Sequence, residues 1–129
     1  MIDFYFWPTP NGHKISIALE EFGLDYRVKP INILKGEQHD PAFIAISPNN
    51  RVPAIIDHNG PGGEAHTVFE SGAILLYLAQ KTGQFWSDDP VQQSLITQWV
   101  FFHCANIGPM FGQCGFMAWL IGVWANTNG

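Results

Sequence analysis

Glu70 and Ser71 stand side by side where an apolar run hands over to a helical one. From Gly72 to Lys81 the residues Ile74, Leu75, Leu78 and Ala79 recur on one helical face, so Ser71 falls at the helix start. Free N–H groups and the positive end of the helix dipole attract a carboxylate there. Glu70 beside them would attract an ammonium. Together the two residues can hold both charges of a free α-amino-acid head, although a plain N-cap with an acidic neighbour also explains the pair. A second chemical feature lies upstream, where Val52-Pro53 precedes the apolar run Ala54-Ile55-Ile56. Proline has no N–H, so Pro53 can open a strand but not sit inside a central ladder. If the Val52–Pro53 bond is cis, Val52 can turn its own N–H and C=O outward to pair with an extended ligand backbone.

These residues need elements to hold them. Ile2 to Trp7 is aromatic and β-rich, a candidate buried strand ending in the turn-forming Pro8-Thr9-Pro10-Asn11-Gly12. His13 to Phe22 places Ile15, Ala18, Leu19 and Phe22 on one face, and Gly23 stops that helix. Tyr26 to Asn32 alternates as a strand, which Pro30 confines to a sheet edge. Asp40-Pro41 opens a short helix through Phe43, Ile44 and Ile46, closed by Ser47-Pro48-Asn49-Asn50. Ala54 to Asp57 and His66 to Phe69 read as strands of a hairpin with a glycine-rich loop between them. After the helix from Gly72, Gln84 to Asp89 reads as a linker. Pro90 then starts a further helix with Val91, Leu95, Trp99 and Phe102 along one side.

The order β-α-β-α-β-β-α predicts an α/β, thioredoxin-like unit with one four-stranded mixed sheet packed between helices. The expected organisation is a domain over 1–83, a linker over 84–90 and a helical segment over 91–129. A redox protein of that fold carries its reactive cysteines in the loop after the first strand. Here the loop has no sulfur. It offers the Thr9 hydroxyl, the Asn11 amide and the start of the next helix. Such donors can stabilise a thiolate supplied from outside and raise its reactive fraction. Capping and turn formation account equally for Thr9 and Asn11 taken alone.

Composition narrows the rest. With 129 residues, 47% of them hydrophobic and 13% charged, the chain can bury a substantial core. A net charge of −5 without a basic patch argues against nucleic acid. Cys104 and Cys114 lack redox or metal spacing, and His13, His39, His58, His66 and His103 are scattered, so no metal site is expected. Tyr5 lies within a strand and reads as packing. No signal peptide is visible, and a reducing, cytoplasmic setting is expected.

The residues F-x-P-T-P-N-G at Phe6–Gly12, S-P-N-N-R-V-P-A-I-I-D-H at Ser47–His58 and F-E-S-G-A-I-L-L-Y-L at Phe69–Leu78 resemble the glutathione transferases. More narrowly they resemble the bacterial nu class and the fungal nitrogen-regulator group. The likeness continues in one colinear order through Trp86–Pro90 to Gly108–Gln113. The resemblance implies glutathione as cosubstrate. Val52, before a cis-Pro53, would pair with its cysteinyl backbone. Glu70 and Ser71 would hold the γ-glutamyl head, Gln38 would lie near the glycyl end, and Thr9 and Asn11 would face the sulfur. The implied activity is glutathione-dependent disulfide reduction or transfer to a small electrophile. The implied alternative is a glutathione-binding regulatory module without useful turnover, and an inactive fragment is a third.

After Gln113 the family pattern would continue through an all-helical domain and a homodimer contact. This chain runs instead through Cys114 to Trp124 and ends at Gly129, which suggests a truncated or frame-altered tail. The segment Ile107 to Ala125 is almost free of polar side chains, but Pro109 and four glycines weaken a membrane reading. Self-association through uncovered helix surface is expected instead.

Overall fold

The computed structural model describes residues 1–127, with side chains through Val123. The side chain of Trp124 and the Gly129 end of the expected 91–129 segment lie outside the described residues. The chain divides into two compact units, Met1–Asp88 and a helical unit from Asp89 onward.

In the first unit the strands are β1 (Ile2–Phe6), β2 (Tyr26–Pro30), β3 (Ala54–Asp57) and β4 (His66–Phe69). They form a four-stranded mixed sheet in the order β2-β1-β3-β4. β1 pairs with β2 in parallel, with Ile2 opposite Tyr26. β3 runs antiparallel to β1, with Phe4 opposite Ile55, and β4 runs antiparallel to β3. Pro30 sits on the edge strand, where its missing N–H breaks no central ladder. This is the thioredoxin-like arrangement.

Three helices accompany the sheet: α1 (Pro10–Glu21), the short α2 (Pro41–Ile44) and α3 (Ser71–Thr82). Ile2, Phe4 and Ile55 from the sheet meet Ile15, Ala18, Leu19 and Phe22 of the first helical segment and Ile74, Leu78 and Ala79 of α3 in one core. Each large apolar side chain buried there contributes about 1.5–3 kcal/mol. Strand alternation sends Tyr5 to the other face, where its ring lies 5.9 Å from that of the buried Phe43. Tyr5 is therefore a packing residue.

One helix boundary differs from the sequence reading in a way that matters for chemistry. α1 starts at Pro10 rather than His13, because Thr9 caps it: the Thr9 Oγ1 accepts from the Gly12 N–H at 3.1 Å. Proline at the first helical position is already shaped for the helix. Asn11 consequently stands on the first turn of a helix and not in a loop. At the other end Gly23 takes φ 64°, and the Leu24 N–H closes back on the Leu19 carbonyl at 3.0 Å.

α3 begins at Ser71, where the sequence placed the helix start, with Glu70 in the cap position. Further along, residues 84–88 lie with the first unit. The Gln84 side-chain amide donates to the Phe22 carbonyl, and Trp86 packs on the core.

The second unit holds α4 (Pro90–Phe102), a π-helical turn (His103–Ile107) and α5 (Gly108–Thr127). Asp89 caps α4 through the Val91 N–H. Leu95, Trp99, Phe101 and Phe102 of α4 are exposed, as are Met110, Phe111, Phe116, Met117 and Trp119 of α5. Cys104 and Cys114 are exposed free thiols. Among the described residues no helix is long and apolar enough to cross a membrane.

Candidate functional site

The ends of α1, β3 and α3 converge on a small pocket of about 90 Å³. Its wall is made by Asn11, Ser47, Asn49, Arg51, Val52, Pro53, Glu70 and Ser71. Five of the seven residues singled out from the sequence therefore meet here.

The Val52–Pro53 peptide bond is cis, as the resemblance implied. Pro53 is buried at the threshold of β3. The loop before it is shaped by Ser47, which is 1% exposed. Its hydroxyl donates to the Arg51 carbonyl at 2.9 Å, and its own carbonyl accepts from the Asn50 N–H at 2.7 Å. Those bonds turn the chain back on itself within five residues. Among the described residues, neither the N–H nor the C=O of Val52 has a hydrogen-bond partner.

Opposite stands the start of α3. No side chain caps it, so the N–H groups of its first turn remain unused by a cap. Ser71 is 8% exposed, yet it lines the pocket beside those donors. Glu70 adopts φ 70° and ψ 120°, a region that side chains other than glycine rarely enter. Its carboxylate accepts from the Asn49 amide at 3.3 Å. One wall thus carries an acceptor for an ammonium next to a cluster of donors for a carboxylate.

Asn11 closes the pocket from α1, and its Oδ1 accepts from the Lys14 ammonium at 2.8 Å. Thr9 is not on the wall. Its oxygen is committed to the helix cap, although its hydroxyl hydrogen is still available to donate.

Gln38 also lies off the wall, in the short helical turn Glu37–His39. Its amide nitrogen approaches the His39 Nε2 at 3.3 Å, while the Asn50 amide approaches the His39 Nδ1 at 3.4 Å. A neutral imidazole offers one donor and one acceptor, so one of those amides must present its oxygen. Either amide can make that turn, and the far end of the Gln38 amide is buried with no hydrogen-bond partner among the described residues.

Ser47, Asn49 and Arg51 were not anticipated individually. Arg51 carried the one available signal, as the only cation between Ser47 and Pro53. Ser47 and Asn49 act by folding the loop and steadying Glu70, which periodicity cannot reveal. Among the described residues no group of three or more His, Cys, Asp or Glu is placed to hold a metal ion.

The fold and its cysteine-free first loop define a thioredoxin-like domain that has no thiol of its own at the usual redox position. The chain belongs to the glutathione S-transferase family, whose N-terminal domain matches residues 1–80. It is 54% identical over 114 residues to the disulfide-bond oxidoreductase YfcG of Escherichia coli, a match covering 88% of this chain and 53% of that protein. It is 44% identical over 111 residues to the transcriptional regulator URE2 of Saccharomyces cerevisiae, covering 81% of this chain and 30% of that one. Among solved structures, a Pseudomonas putida glutathione transferase with glutathione disulfide bound superposes with TM-score 0.85 at 52% identity, covering 89% of this chain and 50% of that one. A Burkholderia graminis glutathione transferase with two glutathione molecules per subunit gives TM-score 0.86 at 50% identity, covering 89% and 48%. The chain spans about half the length of the bacterial relatives it matches.

Proposed function

We propose that the Met1–Asp88 unit grips glutathione along the wall from Val52 to Ser71 and uses its thiolate to reduce disulfides or to attack small electrophiles. The carrying observation is the pocket that joins Asn11, Val52, Glu70 and Ser71 on three elements. The Ser71 hydroxyl and the uncapped start of α3 take the γ-glutamyl carboxylate, and Glu70 takes the ammonium. The unused main-chain groups of Val52 pair with the cysteinyl residue, and Pro53 fixes their direction. The glycyl carboxylate goes to Gln38 and to Arg51. Asn11 and the Thr9 hydroxyl face the sulfur.

Lowering the thiol's pKa is the chemical task, because the thiolate is the nucleophile. In the disulfide reaction it attacks one sulfur of R–S–S–R, forming the mixed disulfide G–S–S–R and releasing RS⁻. A second glutathione thiolate then displaces the remaining RS⁻ and yields glutathione disulfide. The glutathione and glutathione disulfide bound in the bacterial neighbours support this reading. A reducing cytoplasm would keep the cosubstrate reduced. Segment 91–129 is, on the same reading, the start of an all-helical domain that completes the second-substrate wall and a homodimer contact in the full-length protein.

A regulatory glutathione-binding module is the second reading, favoured by the likeness to URE2. Both readings predict binding, so turnover separates them. The test is calorimetric titration with glutathione beside an assay of glutathione with a small disulfide, on the parent chain and Asn11→Ala. The enzyme reading expects parent turnover that Asn11→Ala loses while still binding. Binding without parent turnover favours the module. Absence of binding overturns both.

A further inference from the structure

An asparagine beside a sulfur is useful in only one of its two orientations. The amide NH2 donates to a thiolate, whereas the amide oxygen repels it. In this chain Lys14 decides between them. Its ammonium donates to the Asn11 Oδ1 at 2.8 Å, one helical turn along α1. An ammonium has three donors and no acceptor, so it can satisfy only the oxygen end. With the oxygen held, the NH2 is the end that remains for the pocket that Asn11 lines with Val52, Pro53, Glu70 and Ser71.

We infer that Lys14 is a positioning residue that orients the Asn11 amide to donate into the pocket and so favours the thiolate of a bound thiol peptide. This rests on the reading that glutathione occupies the pocket. Lys14 acts through Asn11 and does not touch the sulfur. A charge-assisted bond to the amide oxygen also polarises the group and strengthens its N–H donors. The other charged groups on the wall are Glu70, which opposes a thiolate, and Arg51, which favours one. His13, also on α1, lies with its ring 5.5 Å from that of Phe6. All three are the same in every variant below.

The test follows the ultraviolet absorbance of the thiolate of bound glutathione against pH at low ionic strength. Variants are Lys14→Met, which keeps the stem but not the donor, and Lys14→Arg, which restores a cationic donor. Affinity for S-methylglutathione, which has no thiol to ionise, is measured alongside. Lys14→Met should raise the bound thiol's pKa by about one unit, or roughly tenfold less thiolate at a pH below both values. Lys14→Arg should recover most of that fraction, and S-methylglutathione should bind all three proteins equally. Coincident titrations of Lys14→Met and parent overturn the inference, as does a matching loss of S-methylglutathione affinity. A parent shift that survives Lys14→Met but vanishes in Asn11→Ala overturns this inference and leaves the glutathione reading standing. A parent with no shift from free glutathione overturns both.

Discussion

The Tyr77 hydroxyl donates to the Asp57 Oδ2 at 2.6 Å, tying the middle of α3 to the end of β3. Asp57 is 1% exposed, and its carboxylate also receives the Lys81 ammonium at 2.9 Å and the Asn59 N–H at 3.0 Å. The strand that Val52-Pro53 enters and the helix that Ser71 begins are thereby locked at their far ends. The two halves of the candidate site inherit their spacing from this network. Tyr77→Phe removes one hydrogen bond to a buried charge and should cost about 1.5–3 kcal/mol of stability. Asp57→Ala strands both Tyr77 and Lys81 and should cost about 3–5 kcal/mol. Denaturant midpoints check both, and equal losses in the two variants would mean that the carboxylate adds nothing beyond the tyrosine.

The same network sets a pH dependence. Burial alone would push the Asp57 carboxyl up, but hydrogen bonds from Tyr77, Lys81 and the Asn59 N–H outweigh it and hold its pKa below the usual value. Asp3 behaves alike, with burial overcome by Arg27 and His58. A carboxyl depressed in the folded state adds stability above its unfolded pKa of about 3.9, and that stability fades as pH falls through the folded value. Tyr77 has the opposite sign. Burial and the Asp57 carboxylate raise its pKa, so its contribution is intact below about pH 10 and is lost at higher pH. The chain should therefore hold a plateau at neutral pH and weaken below about pH 4, and Asp57→Asn should flatten the acid limb. Thermal midpoints across pH decide this; an unchanged acid limb in Asp57→Asn would remove Asp57 as its source.

Local patterning carried the sheet well. β3 and β4 fall on the strands read from alternation, and Pro30 marked the edge strand correctly because a missing donor is tolerated only there. The start of α1 was harder to read. Thr9-Pro10 is an N-cap followed by a proline at the first helical position, yet Pro8, Asn11 and Gly12 around it are also turn formers. The competition hid the fact that Asn11 is held on a helix. Ser47 and Asn49 were invisible for another reason. Their roles arise from a loop folded by its own hydrogen bonds against α3, twenty or so positions away in sequence, and no short-range period records that.

Glu70 holds φ 70° and ψ 120° although it is not glycine. Such backbone strain costs about 1–3 kcal/mol and persists where the surroundings over-determine it. Here it aims the carboxylate at the pocket while the Glu70 carbonyl still accepts the first helical N–H, from Ile74, at 2.9 Å. Glu70→Gly relieves the strain and Glu70→Ala does not, so the glycine variant should be the more stable by about 1 kcal/mol after glycine's own entropy loss. Both lose the carboxylate and should weaken glutathione binding by about 1.5–3 kcal/mol. Melting curves and calorimetry separate the two effects. Identical melting of the variants would deny the strain, and an unchanged dissociation constant would deny the ammonium contact.

Gly12 makes the tightest approach near the proposed sulfur-facing turn. A Cβ added there would stand 2.4 Å from the Trp7 carbonyl oxygen and 2.9 Å from the Phe6 ring. The carbonyl is backbone and also accepts the Thr9 N–H at 2.7 Å, so it cannot swing aside without unmaking the turn. Gly12 in turn donates its N–H to the Thr9 hydroxyl oxygen. Gly12→Ala must therefore shift the first turn of α1, carrying Asn11 away from Val52 and Ser71. Overpacking of this kind costs about 1–3 kcal/mol of stability. Because Glu70, Ser71 and Val52 are untouched, affinity for glutathione should fall less than the rate of disulfide reduction. Parallel measurement of the dissociation constant and kcat/KM tests that split; full turnover in Gly12→Ala would show that the sulfur does not depend on the α1 turn at all.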